Sequence, residues 1–329
     1  MYFSGKRILV IGGTGTIGTS ITKQLLKENP ELIRLFSRDE YKQHIMKEAF
    51  AHDKKLQFMI GDVRDYDRVL QAMNSIDYVF HVAAMKRVET GEENPMEAVK
   101  TNVLGTDHVM KAAARQRVKK VVFTSTDKAI SPTNAYGATK LIAERMIATN
   151  DSNPHTVIAS VRFGNVMGSR GSVIPLFKEQ ILEQKKITVT DLEMTRFMMT
   201  LQQATDLTIH ALKEAKGGEV FVLKMPVVKL GELANLLIEE TCGKHGMNKD
   251  GINIEVTGLR PGEKMYEELM TTDEAQFAWE LPGMFIIPND KSVTYPNATR
   301  AQQTTYSSAN QPPIPYNELR RILKEAQLI

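Results

Sequence analysis

Three observations predict an α/β protein built on a doubly wound parallel sheet. Short β-branched runs alternate with stretches of helix-like apolar spacing through the first half of the chain. A glycine-rich turn joins the first such run to the first helical stretch. With 329 residues and 42% apolar content, the chain can also bury the large core that such a sheet requires.

Six strands follow in order: "RILVIG" from Arg7, "LIRLFS" from Leu32, "LQFMIGD" from Leu56, "DYVFHVAA" from Asp77, "KVVFTST" from Lys120 and "TVIASVRF" from Thr156. Between them, "IGTSITKQLLKE", "YKQHIMKEAFA" and the long "PMEAVKTNVLGTDHVMKAAARQ" carry apolar residues at helical spacing. Such alternation is the pattern of a parallel sheet wrapped by helices. After Phe163 the pattern changes to a glycine-rich loop and helix, "GNVMGSRGSVIPLFKEQIL", then mixed strands and helices. Residues 1–165 therefore form a nucleotide-binding domain, completed by strand and helix returns from the second half. Residues 166–329 form a smaller C-terminal α/β lobe with the helix "KLGELANLLIEETC", an extended arm "PNATRAQQTTYSSANQPPIP" and a last helix "NELRRILKEAQ".

Composition excludes several classes of function. The 42 basic and 39 acidic residues are interspersed, so the formal charge of +3 makes no tail or stripe for nucleic acid or a membrane surface. A single cysteine, Cys242, excludes an internal disulfide and a cysteine-based metal site, and no metal is expected. The N-terminal apolar run is cut short by glycines, and no stretch approaches the length of a membrane span. A cytoplasmic protein without membrane insertion is expected.

The turn "IGGTGTIG" places Gly12, Gly15 and Gly18, with Thr14, Thr16 and Ile17 between them, where strand gives way to helix. Glycines there let backbone N–H groups and the helix N-terminus approach a pyrophosphate, the arrangement of an NAD(P)-binding Rossmann fold. At the tip of the second strand, Ser37 and Arg38 come first and Lys42 follows a turn later. A hydroxyl and cations suit a phosphorylated ribose, so NADP is favoured over NAD, although Asp39 leaves NAD open. Asp62 and Val63 after the third strand either hold the adenine edge, or Asp62 caps the next helix. Ala83 and Ala84 complete the cofactor side at the end of the fourth strand.

Tyr136 and Lys140 stand four apart where a helix begins, so they share a face after the fifth strand. A nearby cation favours phenolate, which makes the tyrosine a base for an alcohol that is being oxidised. Just ahead lies a second charged pair, Asp127 and Lys128.

Taken in order, "GGTGTIG", "STDKA", "YGATK", "VRFGNVMGSRGSVIP", "MTRF" and "LRPGEK" resemble the extended short-chain dehydrogenase/reductase superfamily. More narrowly, "TDKA" before "YGATK" resembles the soluble UDP-N-acetylglucosamine 4,6-dehydratases of bacterial surface-sugar biosynthesis. The resemblance spans roughly residues 5–270. It implies that Thr126 orients the sugar O4, Tyr136 takes its proton, and Lys140 binds the nicotinamide ribose and tunes Tyr136. Asp127 would protonate the departing C6 hydroxyl and Lys128 would take the C5 proton. Oxidation at C4 acidifies that proton, water leaves across C5 and C6, and hydride returns to C6. A neutral Lys128 would be favoured by the positive charges of Lys140 and the oxidised nicotinamide, against the pull of Asp127.

By the same resemblance Asn165, Arg170, Ser172 and Val173 hold the diphosphate and uracil of a UDP-sugar. Arg196 and Arg260 add charge-assisted bonds to the diphosphate, with Glu263 near the nucleoside. Lys86 would touch the sugar from the loop "AAMKRVETGEENP", and Asn102 would line the site from its helix. A homo-oligomer is expected from apolar residues in "VLGTDHVMKAA" and "KLIAERMIA", for which core packing is the equal alternative. A nucleotide-sugar epimerase or reductase would use Tyr136 and Lys140 while Asp127 and Lys128 served structure alone. A non-catalytic NADP-binding regulator is a third possibility on the same fold.

Overall fold

The computed structural model describes residues 1–149, 155–169, 171–302 and 304–329. Six strands, β1 (Arg7–Ile11), β2 (Leu32–Ser37), β3 (Leu56–Ile60), β4 (Tyr78–His81), β5 (Lys120–Thr124) and β6 (Val157–Arg162), pair in parallel in the order β3-β2-β1-β4-β5-β6. All six lie inside the stretches expected to be strands. The chain winds outward from β1 to β3, then crosses back to β4 on the other side of β1. This reversal opens a crevice at the carboxyl ends of β1 and β4, the place where open sheets of this kind bind ligands.

Side chains of β1 alternate between two cores. Ile8 and Val10 pack with Leu35, Phe80 and Val122 on one face, while Leu9 and Ile11 pack with Val79, Val121 and Phe123 on the other. A strand buried on both faces has no polar side, which explains its continuous apolar run.

The second half contributes β7 (Asn165–Val166), β8 (Lys186–Val189), β9 (Thr195–Met199), β10 (Val220–Leu223) and β11 (Val227–Lys229). Strand β10 adds in parallel to β6, and three antiparallel strands, Met284–Ile287, Trp279–Leu281 and Thr299–Arg300, complete a ten-stranded sheet. The second half therefore returns four strands to the main sheet. Strands β7, β9 and β11 form a separate three-stranded sheet beside the crevice. A third core, which includes Phe177, Leu233, Leu237, Cys242 and Leu319, joins the helices Val173–Gln184, Leu230–His245 and Tyr316–Glu325.

Two local expectations are corrected. The segment expected as one long helix is α-helical over Pro95–Ala98 and Gly105–Arg115, with a widened π turn over Val99–Leu104 between them. That turn carries Asn102, which faces inward and is held by backbone groups of Met85. The loop expected after β4 contains a short helix, Val88–Glu93. Of the apolar residues considered for an oligomer contact, Val109, Ala112, Ala113, Ala143 and Ile147 are core, whereas Leu104 and Ile142 are each 47% exposed. Among the described residues no helix is long and apolar enough to cross a membrane.

Candidate active site

A cleft of about 780 Å³ lies at the carboxyl ends of the central strands. All fifteen residues expected to bind the cofactor line it, as do Thr126 and Lys128. So do Lys86, Asn165, Ser172, Val173, Arg196, Arg260 and Glu263 of the expected substrate set. Arg170 lies outside the described residues.

At the cofactor end, Gly12 has φ of 84°, and a Cβ there would lie 2.7 Å from the backbone nitrogen of Ala83. No other residue type fits this approach without moving the chain. Gly15 precedes the helix Thr16–Leu26 without a side-chain cap, so the unpaired N–H groups of the first turn are available to an anion. This glycine-lined helix start fits the pyrophosphate of a dinucleotide.

At the adenosine end, the Ser37 hydroxyl accepts a hydrogen bond from Gln43 Nε2 at 3.0 Å. Arg38 is exposed, 3.8 Å from the Asp62 carboxylate. Asp39 is committed elsewhere: it caps the helix Glu40–Ala49 through the Lys42 N–H and pairs with Lys42 Nζ at 2.5 Å. Asp62 pairs with Arg64 at 2.6 Å, and the capping role open to it falls to Asp65, which accepts from the Arg68 N–H.

The cluster around Tyr136 is assembled by a close helix approach. Asn134 caps the helix Ala135–Ala148 through the Gly137 N–H, and a Cβ on Gly137 would collide with the carbonyl oxygen of Lys128. The glycine thus lets the helix carrying Tyr136 and Lys140 settle onto the turn Asp127–Ala129. Burial raises the Tyr136 pKa, opposed by a hydrogen bond with Thr126 and the charge of Lys128. The adjacent Asp127 charge acts with burial to raise it. Lys140 also lines the cleft: its Nζ donates to the Thr124 carbonyl at 2.7 Å and lies 4.2 Å from the centre of the Phe123 ring. Burial lowers its pKa to about 7, against the pull of Glu144.

Asp127 is 1% exposed, and the cleft is lined by its neighbours Thr126 and Lys128 rather than by Asp127 itself. Its Oδ1 accepts from Thr126 Oγ1 at 2.9 Å and from Lys128 Nζ at 3.0 Å. Its Oδ2 is buried with no hydrogen-bond partner among the described residues. In the ligand-free site the direction for Lys128 is opposite to the depression expected with oxidised nicotinamide bound. Burial acts to lower its pKa, but the charges of Asp127 and Glu267 outweigh it and hold the pKa well above the ordinary lysine value. Glu267, 3.6 Å from Lys128 Nζ and on the cleft wall, is a site residue that sequence reasoning missed. It lies just beyond "LRPGEK" in a run of glutamates that carries no distinguishing spacing.

Two more substrate residues have roles other than those expected. Asn102 does not line the cleft. Its side chain bonds the backbone N–H and carbonyl of Met85 and the Thr139 hydroxyl, fixing the chain just before Lys86. Arg196 lines the cleft, but its terminal nitrogens are committed to the carbonyls of Thr195, Lys264 and Met265. It offers charge to an anion while bracing the loop opposite. Arg260 reaches across the cleft mouth to Glu89 at 3.0 Å, and Glu263 accepts from the Arg260 N–H at 3.1 Å. Ser172 heads the helix Val173–Gln184 without a side-chain cap, and its hydroxyl is buried without a partner among the described residues. A second helix N-terminus thus meets the cleft at its substrate end.

Residues 8–289 match a family model described as polysaccharide biosynthesis protein. An X-ray structure of Pen from Bacillus thuringiensis is 58% identical and superposes with a TM-score of 0.94 over 100% of both chains. A UDP-glucose 4-epimerase of Rickettsia typhi is 43% identical over 295 residues, 88% of this chain and 84% of that protein. A protein of Methanocaldococcus jannaschii described as an uncharacterized membrane protein is 42% identical over 98% of this chain and 97% of its own length.

Proposed function

This chain belongs to the polysaccharide biosynthesis protein family of nucleotide-sugar dehydratases and epimerases, and on that premise we propose that it is an NADP-dependent UDP-N-acetylglucosamine 4,6-dehydratase. The product would be a UDP-4-keto-6-deoxy-N-acetylhexosamine for polysaccharide or glycan assembly. The observation that carries the proposal is the Thr126–Asp127–Lys128 cluster beside Tyr136. A reaction that only oxidises and reduces C4 has no use for a buried carboxylate with an unsatisfied oxygen next to an ammonium.

Bound nicotinamide supplies the acceptor for hydride from C4 and its return to C6. NADP is supported by Arg38 and Lys42 at the adenosine end and by the engagement of Asp39, which leaves it poorly placed to receive ribose hydroxyls. Tyr136, with Thr126 and Lys128 favouring its phenolate, takes the proton of the C4 hydroxyl. One proton transfer from Lys128 Nζ to Asp127 Oδ1, across 3.0 Å, then converts the ion pair into the amine and carboxylic acid that elimination requires. The amine removes the C5 proton, which the C4 ketone has acidified, and Asp127 protonates the departing C6 hydroxyl. The helix starting at Val173 and the charges of Arg196 and Arg260 would hold the diphosphate.

A 4-epimerase is the second reading, favoured by the name of the Rickettsia typhi relative. Single-turnover experiments separate the two. Lys128→Ala should still oxidise C4, more slowly because Tyr136 loses a nearby cation, and then stall, leaving reduced nicotinamide visible by absorbance and no 6-deoxy product. Tyr136→Phe should give no such signal. Dehydration by Lys128→Ala at the parent rate would contradict the proposal.

A further inference from the structure

We infer that Glu267 is a positioning residue for the Asp127–Lys128 pair, holding Lys128 as an ammonium and thereby setting the pH above which the pair loses the proton it shares. The inference rests on the dehydratase reading for its catalytic meaning, but its physical basis stands in the ligand-free protein. Glu267 is 4% exposed on the cleft wall and precedes the strand Glu268–Met270. Its Oε1 lies 3.6 Å from Lys128 Nζ and 3.9 Å from Arg196 Nε. Its Oε2 is buried without a hydrogen-bond partner among the described residues, so the carboxylate is held by charge on one side only.

The groups facing Lys128 come from four elements. Asp127 lies in its own turn, Tyr136 on the helix Ala135–Ala148, Arg196 on β9, and Glu267 on the segment before Glu268–Met270. Two anions thus flank the ammonium from different parts of the chain, while Arg196 opposes them. Asp127 is itself the partner in the proton transfer, so its charge disappears as the transfer proceeds. Glu267 takes no part in that exchange, and its charge persists to favour the ammonium. Burial, together with the charge of Asp127, pushes the Glu267 carboxyl up, while Lys128, Arg196 and Lys264 oppose. The anion that restrains Lys128 therefore titrates above the usual range for glutamate. Its likeness in role to a counter-ion is electrostatic, since no bond of Glu267 to a reacting atom is required.

The test uses the whole chain with lysine side chains labelled with ¹³C at Cε, Lys128 being assigned by its absence in Lys128→Arg. In Glu267→Gln the Lys128 signal should titrate about one pH unit or more below that of the parent, the shift expected on losing an anion within about 4–6 Å. Glu267→Asp should restore part of the difference. The alkaline-going limb of the dehydration rate should move down by the same amount in Glu267→Gln. Identical Lys128 titrations in the parent and Glu267→Gln overturn the inference. Failure of the dehydratase reading is seen separately, as an absence of dehydrated product from the parent protein, and leaves the titration as the deciding result.

Discussion

The carbonyl oxygen of Lys128 occupies the space where Gly137 would carry a Cβ, so the turn bearing Asp127 and Lys128 and the helix bearing Tyr136 are locked together by the absence of one methyl group. Gly137→Ala should force the helix off the turn. We expect a stability loss of about 1–3 kcal/mol by thermal or denaturant unfolding, the usual cost of overpacking. C4 oxidation should fall as well, because the Thr126–Tyr136 hydrogen bond depends on the same approach. An unchanged oxidation rate would separate the helix approach from catalysis.

At the adenosine end, Arg38→Ala should narrow the preference for NADP over NAD by roughly ten- to a hundredfold, the worth of a hydrogen bond to a charged group. Affinities measured after removal of co-purified nucleotide give the answer. Equal affinities of the parent protein for the two cofactors would contradict the assignment of Ser37, Arg38 and Lys42.

Arg260 bridges the cleft mouth to Glu89 and is proposed to bind the diphosphate rather than the reacting carbons. Its replacement by alanine should raise KM about tenfold or more with kcat nearly unchanged, the signature of binding lost equally in ground and transition states. A loss confined to kcat would remove Arg260 from the diphosphate site.

His81 at the end of β4 is buried, and burial, helped by the charge of Lys140, lowers its pKa to about 3. A histidine depressed in the folded state contributes stability that is present above its unfolded pKa of about 6.5 and is lost as pH falls toward the folded value. Lowering pH from 6.5 to 5 should therefore cost about 2 kcal/mol from this residue. The depressed carboxylates, such as Asp62 and Asp77, act at lower pH, and the raised Glu267 acts in the opposite sense. Comparing His81→Asn with the parent cancels those shared contributions. The variant should show a flatter dependence of unfolding free energy over this window.

The parallel sheet and the cofactor cradle were legible in sequence because their signals are local: a β-branched run, a glycine turn, then a helical period. Tyr136 and Lys140 were legible for the same reason, lying one helical turn apart. Less was visible where function depends on distant segments meeting. Nothing in the spacing of Glu267 places it beside Lys128, 139 positions earlier, where its charge adds to that of Asp127 in raising the lysine's pKa. Asn102 and Arg196 carry side chains suited to a ligand, yet both are committed to backbone groups brought to them by the fold. Polar side chains in a motif show that something must be satisfied there, and only the tertiary structure shows whether it is substrate or main chain.

The central claim is that Asp127 and Lys128 perform elimination at C5 and C6. Incubating the protein with UDP-N-acetylglucosamine in deuterated water and examining the product by mass spectrometry and NMR tests it most directly. Elimination by this pair gives a product that has lost one water and carries deuterium at C5, placed there when the double bond is reduced. A product with the mass of the substrate, altered only at C4 and free of deuterium at C5, would contradict it and establish the epimerase in its place.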